Sequence, residues 1–199
     1  MKFGLWFEPE RAGKESRLAR EHPEWMSTVP ESKWLAVDLG NTEAQEYFCR
    51  VIDGYITELD VGYIRYDMNH LDMLAHWRTR DTPGQMGMAQ IRHIEGLHRI
   101  EEYLLKKHPN VLIENCASGG ERVELTSLAR RHTMWVSDAI DTKVVRYMLE
   151  GLNQFVPGNG QLDCLSIPVA EIKRPDFVPD RLRGPGVRRW RVRAQRAHS

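Results

Sequence analysis

The chain has 199 residues, 41% of them hydrophobic, with 28 Lys and Arg balanced by 28 Asp and Glu. That suffices for one domain with a sizeable core, but falls short of the roughly 250 residues of a complete eight-fold parallel barrel. No apolar run approaches the roughly 20 residues needed to cross a membrane, so no spanning role is expected.

From Lys173 onward there are nine basic and two acidic residues, a charge of +7, which leaves −7 for the rest. Cys49, Cys116 and Cys164 are odd in number and lack metal-ligand spacing. They argue against a disulfide framework and suit a reducing, cytoplasmic compartment. Met1-Lys2-Phe3-Gly4 runs directly into a strand-like segment, with no signal-peptide pattern.

Lys2 to Phe7 reads as a strand stopped by Glu8-Pro9-Glu10. Arg11 to Ser32 is polar and reads as a long loop, and Lys33 to Asp38 as a second barrel strand. Thr42 with Gln45 is a capping-box signature, after which Phe48, Ile52, Tyr55, Ile56 and Leu59 mark one helix face. Tyr63 to Tyr66 is the central strand, delivering Asp67, Met68 and Asn69 at its C-terminal end. His70 to Gly87 reads as loop. Ile91, Ile94, Leu97, Leu104 and Leu105 mark a second helix, ended by His108-Pro109-Asn110. Val111 to Ile113 begins a strand that runs into Glu114-Asn115-Cys116-Ala117-Ser118-Gly119-Gly120. Val123 to Ala129 suggests a short helix and Thr133 to Val136 a strand. Asp141 is placed to cap a helix that turns Val144, Val145, Met148 and Leu152 inward, and Phe155 to Gly158 reads as strand and turn. Strands alternating with helices predict a parallel α/β arrangement of five or six units.

The strand ends collect carboxylates (Glu8, Asp38, Asp67, Glu114, Asp138) and the aromatics Trp6, Tyr66 and Trp135. In a parallel barrel those ends converge on one mouth. Carboxylates beside indoles suit sugar hydrolysis, where one stabilises or attacks an oxocarbenium-like centre and another protonates the leaving oxygen. By residue type alone, Trp6 and Trp135 are equally well read as core aromatics and Cys116 as a small buried hydrophobe. The histidines show no HxH or HExxH spacing. A barrel enzyme of aldolase or isomerase type would instead use Glu8, Asp38, Asp67 and Glu114 as oxygen ligands to a metal. A nucleic-acid arm would use the +7 tail, but Trp190 is the only aromatic residue interleaved with its arginine run from Arg181 onward.

The segments KFGLWFEPE, HPEW, YIRYDMN, ENCASGG and WVSDAID, in this order and spacing, resemble the successive motifs of the α-galactosidases of glycoside hydrolase family 36. The resemblance runs from Lys2 to Pro168. It implies a (β/α)₈ barrel and a retaining double displacement that needs no cofactor and no metal. The expected substrates are raffinose- or melibiose-type α-galactosides. A homo-oligomer is expected of the full-length protein, with no nucleic-acid or membrane partner. By motif position Asp67 is expected to be the nucleophile and Asp138 the general acid/base, held protonated at the outset by burial or by the Asp67 charge. Trp6, Arg65, Asn69, Cys116, Gly119 and Trp135 are expected to line the galactose subsite. The two catalytic carboxyls are expected about 5–5.5 Å apart.

The chain departs from the family at Arg65 and Tyr66, where Lys and Trp are usual, and at Ala139-Ile140. The family's Asp-Asp-Gly-Trp motif has no match in this chain. Residues 1–170 are thus expected to form part of a catalytic barrel. Residues 171–199, with eight arginines from Arg174 onward, read as a disordered or frame-shifted tail. A barrel piece with two open parallel edges is expected to fold poorly alone and to show negligible turnover.

Overall fold

The computed structural model describes residues 2–30, 32–69, 72–139, 141–154, 156 and the backbone of 161–162. The expected tail, 171–199, lies outside the described residues.

Five parallel strands form the main sheet: β1 (Phe3–Phe7), β5 (Val61–Tyr66), β6 (Leu112–Asn115), β7 (Thr133–Trp135) and β8 (Gln161–Leu162), in the order β1-β5-β6-β7-β8. Each new strand joins beside the last through a helical connection, the progression of a barrel wall. Along β5, Ile64 and Tyr66 are fully buried, while Tyr63 and Arg65 are half-buried on the opposite face. The period of two thus separates a helix-covered face from a concave one.

The covered face is packed by α2 (Thr42–Leu59) and α4 (Met88–Lys107). Ile52, Ile56, Leu97, Ile100 and Leu104 meet Ile64, Tyr66 and Ile113 in one apolar cluster. Each such aliphatic side chain contributes about 1.5–3 kcal/mol by leaving water. The cap of α2 is Asn41, one residue before the expected Thr42. Asn41 Oδ1 accepts from Glu43 N at 2.8 Å and from Ala44 N at 3.2 Å. Gln45 turns inward instead, its Nε2 donating to Leu39 O at 2.7 Å. The helix ends at Asp60, in the left-handed region at φ 49°. Tyr55, Leu59 and Ile91, expected to face the core, are exposed.

The stretch read as a long loop holds β2 (Arg11–Gly13), α1 (Arg17–Glu21), a 3-10 turn (Pro23–Trp25) and β3 (Met26–Ser27). Both strands pair antiparallel with β4 (Trp34–Val37), forming a separate sheet in the order β2-β4-β3. The expected barrel strand at Lys33–Asp38 is therefore the centre of this side sheet. Four apolar residues before an Asp look alike in either sheet, and only the ladder partners distinguish them.

Where loop was expected, α3 (Met73–Arg80) forms, anchored by the buried His76. α5 (Leu125–Leu128) is capped by Glu124, and α6 (Thr142–Leu152) by Asp141 as expected. Val145 points inward from α6, whereas Val144 and Met148 are largely exposed. Val156 is buried against Met134 and Val136 in a second, smaller cluster and does not lie in a strand. Phe155, Pro157 and Gly158, the rest of that expected strand, lie outside the described residues.

Candidate active site

The parallel ladders set the site. β1 and β5 pair with Trp6 opposite Arg65, and β5 and β6 with Arg65 opposite Glu114. The pairing continues past the strand ends: Asp67 N donates to Phe7 O and Cys116 N to Tyr66 O, each at 2.9 Å. Asp67 and Cys116 thus leave their strands side by side.

Asp67 is buried, and its Oδ2 accepts the Trp6 indole N–H at 2.9 Å while Oδ1 accepts Met68 N at 2.7 Å. Burial alone would raise the pKa of this carboxyl. Hydrogen bonds from Trp6, Cys116, Asn69 and the Met68 N–H outweigh it, so the group titrates below its ordinary value of 3.8. It is therefore an anion at neutral pH, as a nucleophile must be.

Arg65 Nε lies 3.8 Å from Asp67 Oδ2, and its Nη1 lies 3.1 Å from Glu114 Oε1. Its Nη2 donates to Cys116 Sγ at 3.1 Å, and its Cζ lies 4.2 Å from the centre of the Trp135 ring. The Trp135 indole N–H donates to Asp138 Oδ1 at 2.7 Å. Trp6, Asp67, Arg65, Cys116, Trp135 and Asp138 are thus joined in one chain of contacts. One face of Trp135 carries the guanidinium, so a stacked ligand is confined to the other face. Asp138 is exposed, not buried as expected.

Backbone contacts draw the loops together. Asn69 N donates to the Glu8 carboxylate, Arg11 Nη1 to Asn69 O at 3.0 Å and Ser118 Oγ to Met68 O at 3.3 Å. Gly119 sits at φ +86°, and a Cβ there would lie 3.1 Å from Asp138 N. Its missing side chain lets the loop after β6 lie on the loop after β7. The Cys116 thiol is pushed up to about 11 by burial and by its hydrogen bond to Asp67. Glu114 and Glu8 are also raised, chiefly by burial, with the Asp67 charge adding to it.

Several strand-end residues fall elsewhere. Tyr66 points into the helix-covered core, 0% exposed, so its exchange for the usual Trp does not alter the mouth. Asp38 follows β4 of the side sheet, accepting Gly40 N at 2.9 Å and facing Arg80 at 3.8 Å. The four-carboxylate metal set is therefore not assembled. Among the described residues no group of three or more His, Cys, Asp or Glu side chains could hold a metal ion. No helix among them is long and apolar enough to cross a membrane. The contacts of Glu114, Glu8, Arg11 and Ser118 were not readable in advance. The one signal was that Glu8 and Glu114 are strand-end carboxylates.

A family model described as Melibiase matches residues 1–156. An α-galactosidase of Lactobacillus acidophilus is 31% identical over 148 residues, covering 71% of this chain and 20% of its own length. Two solved structures of variants of the family 36 α-galactosidase AgaA from Geobacillus stearothermophilus also match. One, in complex with 1-deoxygalactonojirimycin, has TM-score 0.70 and 26% identity, covering 81% of this chain and 23% of that one. The other, in complex with raffinose, has TM-score 0.70 and 25% identity, with the same coverages. The chain spans about a fifth of the length of the curated relatives it matches.

Proposed function

The chain belongs to the Melibiase family, and from that premise we propose that it carries the catalytic face of a retaining α-galactosidase. Asp67 attacks the anomeric carbon while Asp138 gives a proton to the leaving oxygen, so the glycosidic bond breaks as a galactosyl–Asp67 ester forms. Asp138 then takes a proton from water, whose oxygen displaces Asp67 from the sugar. Trp6 orients the Asp67 carboxylate. Arg65, Asn69, Cys116, Gly119 and Trp135 surround the sugar, and no cofactor takes part.

One observation supports this reading above the rest. Each of the two carboxylates accepts an indole N–H, Asp67 from Trp6 and Asp138 from Trp135, and Arg65 lies between the pairs. One relative was solved with raffinose, which makes terminal α-galactosides of that type the proposed substrates. Cys49 and Cys116 are free thiols, in keeping with a cytoplasmic setting.

A single-turnover label tests the assignment. A 5-fluoro α-galactosyl fluoride should form an ester on the peptide containing Asp67, read by mass spectrometry, and Asp67→Ala should take no label. Asp138→Ala should still be labelled, because fluoride leaves without a proton, but should not turn over an alkyl α-galactoside. A label on any other residue would overturn the reading.

A further inference from the structure

Glu114 has no assigned part in the reaction, yet it is a buried carboxylate, 4% exposed, inside the site. It sits opposite Arg65 in the β5–β6 ladder, and the Tyr63 hydroxyl donates to its Oε2. Its other oxygen faces Arg65 Nη1 at 3.1 Å. Arg65 has a second anion within reach, Asp67, with Nε to Oδ2 at 3.8 Å. A direct guanidinium–carboxylate bond is about 2.7–2.9 Å long, so Arg65 stops roughly 1 Å short of Asp67. The same guanidinium lies 4.2 Å from the Trp135 ring centre. With Cys116 Sγ at 3.1 Å from Nη2, four contacts therefore share one planar cation, and Glu114 is anchored by a second strand neighbour.

We propose that Glu114 is a positioning residue: it holds the Arg65 guanidinium on the Trp135 face and off Asp67, leaving the Asp67 carboxylate free to attack. The inference rests on the reading of Asp67 as nucleophile. Without the Glu114 charge, Asp67 is the nearest remaining anion for the fork, the Cys116 thiol at 3.1 Å being neutral. A guanidinium paired to Asp67 draws electron density from the attacking oxygen and blocks its approach. Trp135 also loses the cation from its face, so the indole that holds Asp138 is less firmly set.

The test uses the 199-residue chain and two independent readouts. Protons held over an indole face are shifted upfield by its ring current. The Arg65 Nε–Hε signal, assigned with Arg65→Lys, should be upfield in the wild type. It should return toward its ordinary position in Glu114→Gln, which keeps the shape and loses the charge. Glu114→Asp, with the charge on a shorter arm, should lie between. In labelling by the 5-fluoro α-galactosyl fluoride, Glu114→Gln should lower the maximal rate about tenfold with little change in the half-saturating concentration. An Arg65 signal that stays upfield in Glu114→Gln, or an unchanged maximal rate, overturns the proposal. If Glu114→Gln does not fold, Glu114→Asp decides by the same two readouts. A wild-type chain that shows the shift, loses it in Glu114→Gln and takes no label upholds the arginine's placement and overturns the hydrolase reading instead.

Discussion

Glu10 shows what a single buried charge does here. Its side chain is fully buried, with Oε1 and Oε2 accepting from Arg122 at 2.7 and 3.0 Å and Oε2 facing His93 Nε2 at 2.8 Å. Leu39 N–H donates to His93 Nδ1 at 3.3 Å, which places the ring proton on Nε2, toward Glu10. Burial would raise this carboxyl, but the Arg122 charge and the His93 hydrogen bond overcome it and hold it far below 4.5. A depressed folded-state value means that the contribution is fully present above about pH 4.5 and is lost as pH falls toward that lower value. Urea unfolding of the wild type should therefore show stability declining below pH 4.5. Glu10→Ala should cost about 3–5 kcal/mol at pH 7, by stranding Arg122, and should flatten that decline. An acid limb equally steep in the variant would assign the decline to other carboxylates. None of this was legible in the sequence. Glu10 stands among charged residues, and its partners lie 83 and 112 positions away. The place of Asp67 at the end of a buried strand was legible because the residues before it alternate apolar and polar.

At the scale of elements, packing overrides propensity at Gly96 in α4. Replacing a helical Gly by Ala ordinarily gains about 1 kcal/mol. Here a Cβ would lie 1.8 Å from Leu39 O and 2.8 Å from Gln45 Nε2, so the helix would have to move off the connection ahead of α2. Gly96→Ala should destabilise the chain by about 1–3 kcal/mol in urea titration, as overpacked sites do. Gly54, whose Cβ would meet nothing within 4 Å, should gain from the same change. Helices α2 and α4 were readable because their apolar residues recur at helical spacing. The segment Met73–Arg80 was not: its residues mix apolar and charged without period, and it is fixed by His76, which reaches Ser27 O at 2.9 Å. The side sheet was misread because its pairings join Arg11–Gly13 and Met26–Ser27 to Trp34–Val37. A strand's own residues do not state such a partnership.

Across the whole molecule, the apolar core is uneven. Among the described residues, one cluster ties β5, β6, α2 and α4 through Ile52, Ile64, Leu97, Ile100 and Ile113, while a second gathers Met134, Val136 and Val156 with a few half-buried neighbours. Opening free energy follows buried contact, so amide exchange should be slowest in β5, α2 and α4 and fastest in α6 and β7. Uniform protection across both clusters would contradict that division. The two charge networks are placed just as unevenly. Arg122 and Glu10 lie within the fold, with side chains 10% and 0% exposed, whereas the Arg65 side chain is 27% exposed on the concave face. Raising ionic strength from 0.01 to 1 M shortens the screening length from about 30 to about 3 Å. Dissolved ions therefore reach the Arg65 crossing and leave the Glu10 clamp nearly untouched. Salt acts on the chemistry of this molecule before it acts on its architecture.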